Sequence, residues 1–177
     1  MENSQTGLTG EFYTLAQLVQ RGYVATLTLG NTKGVDILVA NSLLSQLFKV
    51  EVKTTDQRTR TEALFADEPC HSWAMSQKHE TIQDPNLFYC FVALNGVKEL
   101  PKFFIVPSIY VSIYVREQHA YWVRTRKTPP ADTKMRRFRI RASDPLGFSE
   151  NWDVFSGQTI QENHKTLTES WGKQEPK

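Results

Sequence analysis

Asp36 and Glu51 stand fifteen residues apart, Lys53 follows Glu51 by two, and Glu11 lies upstream of all three. Two carboxylates brought side by side repel, and one is pushed to a raised pKa unless a cation neutralises the pair. Oxygen donors of this kind suit Mg²⁺, with Mn²⁺ as a substitute, because Mg²⁺ keeps several waters and is held by one or two carboxylates plus substrate phosphates. An ion so placed polarises a phosphoryl oxygen and lowers the pKa of an attacking water, which is the chemistry of phosphodiester hydrolysis. A lysine within ~4 Å of the developing charge contributes on the order of a few kcal/mol at an effective dielectric near 20. When desolvated, its ammonium can also lose a proton, which a guanidinium cannot.

For these groups to meet, particular elements must carry them. Leu47 to Thr54 alternates Phe48, Val50 and Val52 with Lys49, Glu51 and Lys53, the period of a strand with one apolar and one charged face. Glu51 and Lys53 therefore share a face. Tyr23 to Leu29 and Val35 to Ala40 are β-rich runs joined by Gly30-Asn31-Thr32-Lys33-Gly34, a hairpin pattern whose second strand opens at Asp36. Leu8 to Arg21 predicts an amphipathic helix with Leu8, Phe12, Leu15, Leu18 and Val19 on its buried stripe, stopped at Gly22; Glu11 falls on or beside that stripe. Taken singly, each residue has an ordinary reading. Glu11 can be a helix-surface acid, Asp36 a turn cap, and Glu51 with Lys53 the charged face of an edge strand. Only their joint placement singles them out.

Glu11 in a first helix, Gly34-Val35-Asp36 opening a strand and Val50-Glu51-Val52-Lys53 in the next resemble the core of the PD-(D/E)XK nuclease superfamily. The likeness runs over residues 8 to 55 by motif, and to about 106 by order of elements. It implies the restriction-endonuclease-like fold: α/β, a mixed sheet of about four to six strands flanked by helices. It also implies that the acids matching Asp36 and Glu51 hold the metal together with the main-chain carbonyl matching Val52. The lysine matching Lys53 is catalytic, and the acid matching Glu11 binds through water or a second ion. Val35 stands where the name-giving proline would be.

The remainder of the chain sets the context. At 177 residues, 40% hydrophobic and 23% charged, it has the composition of one globular domain, expected over 7–155 with a polar tail over 156–177. Its apolar runs fall short of the ~20 residues of a membrane helix, its N-terminus lacks a secretory pattern, and Cys70 and Cys90 are too few for a disulfide framework; a cytoplasmic location is expected. Thr55 to His71 reads as a polar loop and Trp73 to Gln83 as a short helix or turn. Asn86 to Leu94 and Lys102 to Val106 read as buried strands, Ser108 to Glu117 as a helix opened by Pro107, and Arg136 to Ala142 as a strand. Asn151 to Phe155 is expected to close the domain, with Trp152 and Phe155 turned inward.

Candidate nucleic-acid contacts are Lys33 in the hairpin loop, Arg58 and Arg60 after the third strand, and Gln77 and Lys78. His71 and His79 lack zinc spacing and are expected at the surface. Between Arg116 and Arg141, nine basic residues face only Glu117 and Asp132, either a polyanion footprint or a solvated basic face. No phosphate-binding glycine loop or Ser-His-Asp set is present. These features predict a metal-dependent nuclease acting on DNA, with RNA as the alternative substrate. The competing class is a catalytically inactive module of the same fold that binds nucleic acid or protein. A homodimer would let two sites address two strands, although no sequence feature marks an interface.

Overall fold

The computed structural model describes residues 3–28, 34–41, 43, 45–62, 65, 67–128 and 133–156. Helix α1 (Asn3–Gln20) leads into strands β1 (Val24–Leu27), β2 (Ile37–Ala40) and β3 (Leu47–Thr55). Antiparallel pairing of β1 with β2 and of β2 with β3 follows from the short links between them, as the hairpin pattern predicts. Lys33 and the stretch 157–177 of the predicted tail lie outside the described residues.

The buried face of α1 differs from the predicted one. Thr6, Gly10, Thr14 and Leu18 face the sheet, whereas Leu8, Phe12 and Val19 are 50%, 54% and 55% exposed. Small residues at every fourth position let the helix backbone come close to β3. A Cβ at Gly10 would lie 2.9 Å from Thr54 Cβ, so only glycine permits this approach, and an apolar periodicity count cannot register it.

After β3 the chain departs again from expectation. The predicted loop and turn contain β4 (Arg60–Thr61) and β5 (Pro69–Ser76), followed by a 3₁₀ turn over Gln77–Glu80. Strand β6 (Leu87–Ala93) then runs parallel to β3, and β7 (Lys102–Pro107) antiparallel to β6. All seven residues of β6 are buried, as a central strand covered on both faces requires. Helix α2 (Ser108–Thr125) runs past the predicted end at Glu117, and β8 (Met135–Arg141) pairs with β5.

The result is α/β, with a mixed five-stranded sheet in the order β1-β2-β3-β6-β7 and a three-stranded sheet in the order β4-β5-β8. On one face of the large sheet, Leu18 of α1, Phe48, Val50, Phe88, Trp152 and Phe155 form one apolar cluster, with Trp152 and Phe155 inward as expected. On the other, Trp73, Phe91, Phe138, Tyr110 and Tyr114 join the two sheets and α2. Trp73 also donates its indole N–H to the Val92 carbonyl at 3.0 Å, which fixes it in the core. Among the described residues no helix is long and apolar enough to cross a membrane.

Candidate active site

Strands β2 and β3 stop pairing at Ile37 and Val50, and β3 continues for several residues with a partner only on its β6 side. Asp36 sits at the mouth of the resulting gap. Its N–H donates to Val50 O at 2.8 Å, and its Oδ2 accepts the Val52 N–H at 2.7 Å, so a side chain replaces the main-chain partner that β2 no longer supplies. The Val52 carbonyl lies on the same side of the strand as its N–H. Continuing the register by one residue sets Asp36 across from Glu51, with both side chains on the same face.

Glu51 is the centre of the cluster. Its side chain is 3% exposed, and Oε1 receives Lys53 Nζ at 2.6 Å, His79 Nε2 at 3.3 Å and, more remotely, Lys78 Nζ at 3.9 Å. A carboxylate only accepts hydrogen bonds, so His79 presents Nε2–H to it; Nδ1 lies 3.1 Å from the Ser76 N–H. Burial alone would raise the Glu51 carboxyl, but the hydrogen bond from His79 and then the charge and hydrogen bond of Lys53 outweigh it and hold the group at about 2. It is ionised at neutral pH.

The neighbouring acids behave oppositely. Asp36 is raised, chiefly by burial, against the Val52 hydrogen bond and the charge of Lys53, with the Glu51 charge adding to the rise. Glu11 is raised by burial and then by Asp36, with Lys53 opposing. The Tyr89 phenol, opposite Glu51 on β6, is raised by burial first and by the Glu51 charge second. Burial, more than repulsion between the acids, sets all three shifts.

Glu51 Oε2 is buried and makes no hydrogen bond among the described residues. Gly34, at φ +78°, lies against it, and a Cβ there would stand 3.5 Å from the oxygen. A buried carboxylate oxygen left without a hydrogen bond is costly, and a cation on that side would remove the cost. The donor set is all oxygen, which fits a hard ion such as Mg²⁺. Among the described residues no group of three or more His, Cys, Asp or Glu stands at metal-holding spacing. The available donors are therefore two carboxylates and main chain, the number Mg²⁺ commonly takes from a protein when waters and substrate phosphates complete its shell.

Of the residues singled out from sequence, Glu11, Asp36, Glu51, Val52, Lys53 and Lys78 come together. Gln77 is exposed and engages the rest of the chain through its N–H, which donates to Lys134 O at 2.8 Å. Arg58 and Arg60 are exposed on and before β4, and none of the contacts within the cluster involves them. The expectation of surface histidines is corrected: His71 and His79 are 8% and 3% exposed, His71 packing on Trp73 and Phe104. His79 is the residue that sequence reasoning missed. Its signal was the Ser76-Gln77-Lys78-His79 spacing, in which a serine and the residue three later fold onto each other at the start of a helical turn and aim the imidazole at β3.

The basic segment is not a uniform face. Arg136 is buried in an ion pair with Glu80, Arg139 pairs with Glu62 at 3.3 Å, and Arg141 with Glu68 at 3.6 Å. Alternation along β8 turns Arg136, Phe138 and Ile140 one way and Arg137, Arg139 and Arg141 the other.

No protein-family model matches this chain, and no curated protein matches its sequence. Among solved structures it is similar to that of a bacterial homing endonuclease, I-Ssp6803I, with a TM-score of 0.49 and 13% sequence identity, over 96% of this chain and 98% of that one.

Proposed function

We propose that this protein is a metal-dependent nuclease that hydrolyses phosphodiester bonds in DNA at the Glu11, Asp36, Glu51 and Lys53 cluster. The observation that carries the reading is the buried Glu51 Oε2, which makes no hydrogen bond among the described residues, on the face where Asp36 converges and Lys53 stands 2.6 Å from Oε1. Asp36, Glu51 and the Val52 carbonyl would hold Mg²⁺ or Mn²⁺, with Glu11 as an outer ligand. Bound there, the ion polarises a phosphoryl oxygen and lowers the pKa of water. The chain's own groups set the stage for it. Lys53 and His79 keep Glu51 ionised, Val52 N–H orients Asp36, and the partly exposed Lys53 ammonium offers positive charge where negative charge develops on the phosphate. Lys78, 57% exposed and 3.9 Å from Glu51, is placed to meet a neighbouring phosphate.

The test is cleavage of supercoiled plasmid, single-stranded DNA and RNA in Mg²⁺, in Mn²⁺ and in EDTA. The wild type should cut DNA only with metal, and Asp36→Asn and Lys53→Ala should each lose about 10²-fold or more in rate, as removal of one stabilising group does elsewhere. Equal cleavage by all three proteins overturns the proposal. The second reading, an inactive module that binds nucleic acid, draws on the missing three-ligand cage among the described residues. It predicts no heat on Mn²⁺ titration and no turnover.

A further inference from the structure

A cleft of about 420 Å³ lies between the C-terminal half of α2 and β8, walled by His119, Trp122 and Arg126 on the helix side and Arg136, Arg137 and Arg139 on the strand side. Two of its four guanidinium groups are committed, Arg136 to Glu80 and Arg139 to Glu62. The other two are exposed, and among the described residues no acid pairs with either. Arg126 lies 5.0 Å over the Trp122 ring, a cation–π contact that holds an otherwise flexible side chain at the rim. Lys134, which adjoins the lining residues Thr133 and Met135 in sequence, is also exposed.

This cleft is tied to the Glu51 cluster by one short element. The 3₁₀ turn Gln77–Glu80 sends Lys78 and His79 to Glu51, while Gln77 N–H bonds Lys134 O and Glu80 pairs with Arg136. The turn that carries Lys78 is thus joined directly to the segment that carries Lys134 and leads into β8. We infer that the α2–β8 cleft binds the phosphodiester backbone of the nucleic acid flanking the bond presented to Glu51, with Arg126 and Arg137 as the phosphate contacts and Trp122 as the residue that positions Arg126. The inference rests on the nuclease reading for what is bound, but it concerns affinity and not cleavage. Two guanidinium groups on a concave wall, without an acid partner among the described residues, match the planar, multidentate recognition of phosphate that arginine provides.

The experiment measures fluorescence anisotropy of a labelled mixed-sequence DNA duplex in EDTA over a range of salt, for the wild type, Arg126→Ala/Arg137→Ala, and Arg126→Lys/Arg137→Lys. Both positions are exposed, and circular dichroism verifies that the fold is retained. The alanine pair should bind roughly ten-fold more weakly, and its slope of log K against log salt should be shallower by about 2, as loss of two phosphate contacts dictates. The lysine pair should keep the wild-type slope. Unchanged affinity and slope in the alanine pair, or no wild-type binding at all, overturns the inference. If plasmid is cut while the alanine pair binds like wild type, only the cleft fails. If nothing is cut while the slope falls as expected, only the nuclease reading fails.

Discussion

At the scale of single residues, Glu51 decides how the site responds to pH. Its folded-state pKa of about 2 lies below its ordinary 4.5, so its contribution to stability is complete above 4.5 and is lost as pH falls from about 4.5 to about 2. The shift corresponds to about 3 kcal/mol. Glu51→Gln should therefore be less stable than wild type by about that amount at neutral pH in EDTA, with the gap closing as pH falls from about 4.5, where Glu51 of the unfolded chain takes up its proton, to about 2, where the folded group does. Urea denaturation at several pH values measures it, and a gap independent of pH contradicts the account. His79→Ala removes a hydrogen bond to a buried charge and should cost about 1–3 kcal/mol, while moving the acid-unfolding midpoint upward. Asp36, Glu51 and Lys53 were legible because strand alternation fixes which side chains share a face. His79 was not, because its role comes from a turn whose direction depends on β5, a strand absent from the sequence reading.

At the scale of elements, the approach of α1 to β3 brings Glu11 to the cluster. Gly10 precedes Glu11, and the space above it is filled by Thr54. Gly10→Ala should lift the helix from the strand and cost about 1–3 kcal/mol through overpacking, with cleavage falling because Glu11 and Asp36 move apart. Thermal denaturation and a plasmid assay on the same preparation measure both, and an alanine variant as stable and active as wild type contradicts the close packing. Strands β6 and β7 could be read as continuous apolar runs. The α1 face could not, because Thr6, Gly10 and Thr14 pack by being small, while the apolar Leu8 and Phe12 that dominate the periodicity point outward. Strand β5 was hidden because Cys70-His71-Ser72-Trp73-Ala74-Met75 mixes small, polar and aromatic residues, and its pairing partners on β8 lie 59 to 71 residues downstream.

At the scale of the whole molecule, two sheets and α2 share one core. Phe138 of the small sheet stacks on Phe91 of the large sheet at 4.3 Å between ring centroids and meets Tyr114 of α2 at 4.7 Å. Phe138→Ala should cost about 3–5 kcal/mol, and the loss should appear equally by far-ultraviolet circular dichroism and tryptophan fluorescence, since one cooperative unit has one transition. Separate transitions would mean that the small sheet unfolds alone. The net charge of +2 conceals the clustering of positive charge beside α2 and β8 and of negative charge around Glu51. The central claim is that the Asp36 and Glu51 carboxylates hold a hydrated divalent ion. Its most direct test is an anomalous difference map from a crystal grown in Mn²⁺ at a concentration that supports cleavage. The account predicts a peak at roughly 2.0–2.2 Å from Glu51 Oε2 and from an Asp36 oxygen, the range of carboxylate coordination by small divalent ions. A map with no peak there, or with a peak bound elsewhere while DNA is still cut, contradicts it.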